Sequence, residues 1–205
     1  MEILQEMNPC LHLALFPFIN HFDENTLLAN FKKEPFVTAT AISIRFAKME
    51  DLHSVQLLAQ KIWPETYKDI LSEAQIGYMM NLFYSSSSLK NQMVDLKHVF
   101  ILIEAGDSLL GFASYSCIKN PGVYKLHKIY ILPNQQGKGL GKTIIDFIVR
   151  DIRGKNATVL QLNVNRTNKA RLFYERLGFS VTREEDIEIG HDYFMNDFVM
   201  EKPLV

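Results

Sequence analysis

Two stretches of the chain hold residue types whose spacing could do chemistry, and the first is a glycine-rich turn. An apolar strand ends near Leu132, and Gly137, Gly139 and Gly141 follow it before a helix begins. Glycine lets the backbone approach a ligand closely because it has no Cβ. The first N–H groups of a helix lack intrahelical partners, and the helix dipole adds partial positive charge there. Such a turn is typical of a diphosphate-binding site.

Three phosphate-binding patterns can be compared with this turn. A Walker-type loop ends as Gly141-Lys142-Thr143 does, but it requires glycine where Gln136 stands. The dinucleotide fingerprint Gly-x-Gly-x-x-Gly fails because the third glycine comes one residue too early. The pattern Gln/Arg-x-x-Gly-x-Gly fits Gln136, Gly139 and Gly141. The alternative is a strand-to-helix connection that binds no ligand.

The second stretch lies about one strand further along the chain. It reads as a strand end, a short helix, a glycine stop at Gly178 and a new strand from Phe179. Four of its residues recur at helical spacing and form one face: Ala170, Phe173, Tyr174 and Leu177.

Together the two stretches resemble the GNAT superfamily of N-acetyltransferases, over roughly residues 40–202. The acetyl-CoA loop of that superfamily matches residues 136–141. Its second signature, Asn-x-x-Ala-x-x-x-Tyr-x-x-x-Gly-Phe, matches at five positions, of which the alanine is shifted by one place at most: Asn168, Ala170, Tyr174, Gly178 and Phe179. The resemblance implies the GNAT acyl-CoA N-acyltransferase fold, an α+β (α/β/α) structure with a mixed, largely antiparallel, splayed sheet flanked by helices. It also implies acetyl-CoA as cosubstrate and no metal.

The resemblance places the cofactor on particular residues. The pantetheine arm would lie in the splay as an added strand and pair with the backbone of Ile129, Tyr130 and Ile131. Asn168 would hydrogen-bond the arm or cap the following helix, and these two roles are compatible. The phosphate end would contact the loop and the start of its helix: Gln136, Gly137, Lys138, Gly139, Leu140, Gly141 and Lys142.

Two residues are catalytic candidates. Tyr174 matches the tyrosine that protonates the departing CoA thiolate, and its alternative role is core packing. A phenol can serve because a free thiol has a pKa of roughly 8.5. The glutamate base of many relatives corresponds to Asn163, which cannot take that role. Strand alternation would place His127 on the face of Ile129 and Ile131, where it could act as the base. An ordinary strand histidine, or a chain of waters acting as base, is the alternative.

The elements that must position these residues follow from periodicity and turn signals. Met49 to Trp63 is predicted to be an amphipathic helix that stops at Pro64. Ser72 and Gln75 form a capping box for a helix through Phe83, and Ser88 caps a third helix through Asp95. The remaining predictions are strands at 41–46, 98–104, 109–118, 124–132 and 159–164, a helix at 139–152, and a closing hairpin of 179–189 and 193–201 around Gly190.

Composition and length set the broad class. The chain has 205 residues, 47% hydrophobic and 22% charged, with a formal net charge of −1. It is predicted to be globular, in the cytoplasm, with no nucleic-acid partner and no membrane span. Residues 40–203 form the predicted acetyltransferase domain. Residues 1–39 are an extension that packs loosely or is partly disordered, and its aromatic residues could serve a homodimer contact.

The acetyl acceptor is indicated by charge. Six acidic residues, uninterrupted by lysine or arginine, occupy the predicted closing hairpin: Glu184, Glu185, Asp186, Glu188, Asp192 and Asp197. They could attract a cationic amine or could form a solvated face. The predicted function is transfer of acetyl from acetyl-CoA to a primary amine by direct attack. A small cationic amine such as a polyamine is expected, with loose similarity to bacterial polyamine acetyltransferases. The alternatives are a protein or peptide amine, and a silent acyl-CoA-binding protein.

Overall fold

The computed structural model describes residues 41–119 and 122–204. These residues form seven strands and five α-helices, numbered here in chain order. The elements are β1 Ile42–Phe46, α1 Leu52–Tyr67, α2 Glu73–Tyr84, α3 Ser86–Val94, β2 Val99–Ala105, β3 Ser108–Lys119, β4 Val123–Ile131, α4 Leu140–Arg153, β5 Val159–Asn165, α5 Arg171–Arg176, β6 Ser180–Gly190 and β7 Tyr193–Pro203. The predicted extension, residues 1–39, lies outside the described residues.

All seven strands join one sheet in the order β1-β2-β3-β4-β5-β7-β6. The pair β4 and β5 is parallel, with Val123 to Leu126 matched to Val159 to Leu162. Every other neighbouring pair in this sheet is antiparallel. The mixed, largely antiparallel sheet with helices on both sides confirms the predicted fold class.

Two hydrophobic clusters cover the two faces of the sheet. On one face, here called the α1 face, the helices α1 to α3 pack on residues such as Phe100 and Phe112. On the other, the α4 face, α4 and α5 pack on Tyr115, Leu126 and Leu160. Successive strand residues point to opposite faces, and β3 shows this with Phe112 on the α1 face and Ala113 on the α4 face.

The first helical region differs from the prediction at two points. Helix α1 does not stop at Pro64 but continues to Tyr67. Proline removes one N–H donor, but its own carbonyl still accepts from the Lys68 N–H at 3.1 Å, and burial of Trp63 anchors the turn. Ser85, rather than Ser88, caps α3, because the Ser85 hydroxyl accepts from the Ser88 N–H at 3.4 Å. The serine residues just before Ser88, which the prediction leaves outside the helix, therefore form its first turn.

Other local signals are confirmed. Ser72 caps α2 by accepting from the Gln75 N–H at 3.2 Å, but the Gln75 side chain donates to the Phe194 carbonyl at 3.5 Å and does not complete the predicted capping box. Gly106 has a positive φ of 57° in the tight turn that joins β2 to β3. Gly178 ends α5 with a φ of 86°, a left-handed conformation that favours glycine.

Candidate active site

The sheet opens between β4 and β5. Their pairing stops at Leu126 and Leu162, although β4 runs on to Ile131 and β5 runs on to Asn165. Beyond that point β5 continues to pair with β7, and β4 continues to pair with β3. Beyond Leu126, the edge of β4 that faces β5 is therefore not paired with β5. A ligand could bind along this edge as an added strand.

The glycine turn leads directly from this opening into α4. Gly137 and Gly139 have φ values of 77° and 80°, and a Cβ built on either would meet no atom within 4 Å. Their conformation requires glycine, and the space beside them is open to a ligand. Gln136 donates its amide to the carbonyl of Ile131 at 3.1 Å, so it also closes the end of β4.

Gly141 has a different reason to be glycine. A Cβ at this position would lie 2.9 Å from the Phe173 ring. The residue therefore lets α4 approach α5 closely. This contact places the start of α4 beside the helix that carries Tyr174.

Tyr174 lies on the buried side of α5 and borders the opening. The residue is 8% exposed, and its ring packs on Phe173 and Phe179 with centroid distances of 5.2 and 5.8 Å. Among residues 41–119 and 122–204 no group hydrogen-bonds to its hydroxyl. Burial raises the pKa of Tyr174, so the phenol keeps its proton across the physiological range. The core packing predicted as the alternative role of Tyr174 is thus observed, and the residue also borders the cavity.

Asn168 organises the turn before α5. Its side-chain oxygen accepts from the Ala170 N–H at 2.9 Å, which fixes the chain as it enters the helix. The residue also borders the same opening as Tyr174. The prediction that Asn168 caps the helix is therefore wrong: Ala170 is the N-cap residue of α5, and Asn168 forms an Asx turn just before it.

One cavity of about 1410 Å³ connects these features. It runs from the glycine turn, past Ile129 to Ile131 and Tyr174, to a polar end on the α1 face. The polar end is lined by five residues from β4, β5, β7 and the start of β2: His98, Lys125, Lys128, Asn163 and Asp197. The glycine turn, the end of β4, Tyr174 and a group of polar side chains therefore line one and the same cavity.

A β-bulge at His127 overturns the face predicted for that residue. Tyr115 pairs with Leu126 and Ser114 pairs with Lys128, so His127 is an extra residue in β4. The bulge breaks the alternation, and His127 lies on the α1 face, where it contacts Ser116 at 2.8 Å. Ile129 and Ile131 pack on the α4 face instead.

The surroundings of His127 argue against a role as general base. Its ring stacks on His98 with centroids 3.8 Å apart and an interplanar angle of 10°. Burial, assisted by the charges of His98, Lys128 and Lys125, lowers the pKa of His127 to about 2. Its Nε2 is also occupied by the Ser116 hydroxyl. An imidazole that resists protonation this strongly is a poor proton acceptor at neutral pH.

Three of the six acidic residues of the hairpin form ion pairs with arginines. Arg166 pairs with Glu184 at 2.6 Å and also with Asp186, and Arg183 pairs with Glu185 at 2.6 Å. Asp197 differs from these residues because it is 7% exposed and borders the cavity. Within the described ranges no ion pair joins Asp197 to a cation.

Asp197 is the functional candidate that sequence reasoning did not single out. Burial raises its pKa, and the Asn163 amide and the Lys125 charge partly offset this effect. Asn163 also donates to Glu185 at 3.2 Å, and its own Oδ1 is buried without a partner. A prediction of the hairpin register could have shown that Glu185 and Asp197 lie next to each other, since the two residues face each other across β6 and β7.

The aromatic residues of α1 and α2 divide into those that pack in the core and those that line the cavity or contact the closing hairpin. Trp63 and Tyr84 are 3% and 1% exposed and hydrogen-bond to each other at 3.1 Å, so they are core. Tyr67 shares a 3.1 Å hydrogen bond with Tyr130 and borders the cavity. Tyr78 reaches across from α2 and donates to the carbonyl of Ile189 in β6 at 2.5 Å.

The fold and the cavity together define an acyltransferase that holds a thioester donor in a splayed sheet. The comparisons with known proteins agree. A family described as "Acetyltransferase (GNAT) domain" matches residues 68–195. The spermidine N(1)-acetyltransferase of Thermoplasma acidophilum is 30% identical over 167 residues, covering 79% of this chain and 97% of that relative. The [ribosomal protein bS18]-alanine N-acetyltransferase of Haemophilus influenzae is 30% identical over 111 residues, covering 54% of this chain and 70% of that relative.

A solved structure gives the same answer. The PaiA N-acetyltransferase of Thermoplasma acidophilum in complex with coenzyme A has a TM-score of 0.67 and 28% identity, over 80% of this chain and 99% of that chain. The chain belongs to the GNAT family of acetyltransferases. It is thus an enzyme that takes acetyl-CoA as donor and acts on amines, which confirms the family and cosubstrate expected from the two motifs.

No group of three or more histidine, cysteine or carboxylate side chains in the described ranges could hold a metal ion. Within the same ranges no helix is long and apolar enough to cross a membrane.

Proposed function

We propose that the protein transfers acetyl to a primary amine that binds as an ammonium beside Asp197. The observation that carries this proposal is a buried carboxylate in the cavity wall that forms no ion pair with a cation among the described residues. A buried charge without a partner is costly, and a cationic ligand would remove that cost. The spermidine and alanine acetyltransferases among the relatives both act on amines that are cationic in water.

The cofactor end of the cavity fits acetyl-CoA. Gly137 and Gly139 leave open space at the start of α4, where residues 136–142 would hold the phosphates. Ile129, Tyr130 and Ile131 would pair with the arm along the unpaired part of β4, and Asn168 would contact it from the opposite wall. When bound, acetyl-CoA supplies the acetyl group.

Three groups of the chain would then act on the reacting atoms. Asp197 would take a proton from the ammonium, because only the neutral amine is a nucleophile. Its raised pKa brings it closer to that task than an exposed aspartate. A backbone N–H near Ile131 would stabilise the negative charge that develops on the carbonyl oxygen. As the carbon–sulfur bond breaks, Tyr174 would donate its proton to the departing sulfur, since its hydroxyl has no protein partner among the described residues. The second proton that the attacking nitrogen loses on becoming an amide would then restore the phenol, and Asp197 would release its proton to solvent.

The proposal is tested by thiol release with an acceptor panel of polyamines, amino acids and peptides with free N-termini. Turnover with any amine supports transfer, and the preferred class decides between small amines and peptide amines. Binding of CoA without thiol release from any amine would favour the silent acyl-CoA-binding alternative.

Asp197 has a matched control in the same hairpin. Asp197→Asn should lower kcat/KM by roughly 10²- to 10⁴-fold, as expected for loss of a general base. Glu188→Gln makes the same chemical change at an exposed carboxylate and should leave kcat/KM within about twofold. Equal activity of the two variants would remove Asp197 from the mechanism.

A further inference from the structure

Lys128 places a second, opposite charge at the polar end of the cavity. Its Nζ donates to Gln92 Oε1 at 2.6 Å and lies 5.5 Å from the centre of the Tyr84 ring. The residue borders the cavity and is half-buried. The charge therefore sits inside the acceptor region and not on the outer surface.

Gln92 is built to hold this ammonium in place. Its amide nitrogen donates to the Phe83 carbonyl at 2.8 Å and to the Ser88 hydroxyl at 3.0 Å. Because both donors are used, the side-chain oxygen has to point toward Lys128. Gln92 is itself 6% exposed, so its orientation is fixed by packing as well.

Among the residues that the structure describes, no anion forms an ion pair with Lys128. An ammonium has three donors, and in the described ranges only Gln92 accepts from this one. Among the described residues its charge acts on the rings of His98 and His127, neither of which is an anion. Glu185 and Asp197 act on Lys125, whereas burial alone acts on Lys128 and lowers its pKa to about 8. A methionine would fill this space without the cost of a buried charge.

We propose that Lys128 binds an anionic oxygen group of the acceptor, so that the preferred substrate is an amine that also carries a carboxylate or phosphate. This inference rests on the proposed function. Asp197 would receive the ammonium and Lys128 the anion, from β7 and β4 respectively. An amino-acid-like acceptor satisfies both charges, whereas a polyamine satisfies one and meets repulsion at the other.

The test compares acceptors with one amine each that differ in the anionic group alone. Tyramine is paired with tyrosine for a carboxylate, and ethanolamine with O-phosphoethanolamine for a phosphate. For each pair, kcat/KM of the acceptor with the anionic group is divided by kcat/KM of the acceptor without it. The double ratio is this quotient for the wild type divided by the same quotient for Lys128→Met. This double ratio cancels the differing basicity of the two amines.

We expect a double ratio of about 10 to 100 for the pair whose anion matches the site, and Lys128→Arg should keep most of it. The larger double ratio identifies carboxylate or phosphate as the natural group. Lys128→Met removes an uncompensated buried charge, so it should fold, which circular dichroism verifies. Double ratios near one for both pairs would overturn the inference while amine acetylation, and hence the proposed function, still stands.

A second measurement needs no acceptor at all. With CoA bound, trace acetylation by acetic anhydride at constant pH is followed by peptide mass spectrometry at Lys128 and at exposed Lys61 as control. Glutarate or inorganic phosphate should slow labelling of Lys128 several-fold relative to sodium chloride of equal ionic strength, with Lys61 unchanged. Equal labelling rates in all three salts would overturn the anion site even if no amine in the panel is acetylated.

Discussion

Replacing Tyr174 with phenylalanine should separate catalysis from stability. The variant keeps the ring and its contacts with Phe173 and Phe179, and it removes a hydroxyl that has no hydrogen-bond partner in the described ranges. The free energy of unfolding should therefore change by less than about 0.5 kcal/mol. If the hydroxyl protonates the departing sulfur, kcat should fall by roughly 10²- to 10⁴-fold, which is about 2.7–5.4 kcal/mol of transition-state stabilisation.

Tyr115 provides the opposite case on the same face of the sheet. It is fully buried, and its hydroxyl donates to the Asp151 carboxylate at 2.6 Å, outside the cavity. Tyr115→Phe should cost about 1–2 kcal/mol of stability, since Asp151 keeps its ion pair with Lys155 at 2.6 Å. Its kcat should stay near that of the wild type.

The assay is thiol release with a verified acceptor, together with urea denaturation of both variants. Acyl donors with more acidic thiols should shrink the loss in Tyr174→Phe, because their sulfur needs less protonation. If Tyr174→Phe binds acetyl-CoA normally and turns over at the wild-type rate, the tyrosine is packing alone and the reasoning is refuted.

Three further predictions concern the cofactor loop and the buried histidines. CoA should stabilise the fold by about 2.7 kcal/mol at a hundredfold excess over its Kd, and Gly139→Asp should abolish this; calorimetry showing equal CoA affinity for both proteins would contradict it. Gly141→Ala should cost about 1–3 kcal/mol in urea denaturation because its Cβ would lie 2.9 Å from the Phe173 ring, and an unchanged stability would show that the ring moves freely. His98 and His127 have pKa values lowered to about 4 and about 2, so the unfolded chain binds more protons below about pH 6.5 and stability should fall as the pH drops through that window. The double variant with both histidines changed to phenylalanine should flatten this acid limb in pH-dependent urea titrations, and an unaltered limb would place the proton uptake elsewhere.

The backbone geometry of the segments proposed to hold the cofactor was predictable because its sequence signals are local. The left-handed conformation of Gly139, the stop at Gly178 and the face of Tyr174 each depend on residues a few positions apart. Such short-range constraints can be recognised from the spacing of residues in the sequence. The same holds for the positions of the strands along the chain, which alternating patterns and turns delimit.

The acceptor side was harder to predict because it depends on register and on distant partners. One extra residue in β4 moved His127 to the other face, and no sequence signal marks a bulge at that position. Asp197 looked like one of six similar acids until its burial and the arginine partners of its neighbours separated it from them. The helix past Pro64 likewise depends on the burial of Trp63.

The contact between Tyr78 and Ile189 shows how the two halves of the site relate along the chain. The residues proposed to hold the donor lie from the end of β4 to the start of α4 and from Asn168 to Tyr174, whereas the Tyr78 contact joins α2 to a hairpin more than a hundred positions later. A Cβ at Gly190 would lie 2.7 Å from the Tyr78 hydroxyl, so this junction tolerates little change in either partner. In evolutionary terms the donor loop can be inherited unchanged while the acceptor wall diverges, but α2 and the closing hairpin have to diverge together. Changes of acceptor specificity that involve this junction should therefore arise through paired substitutions in α2 and the closing hairpin.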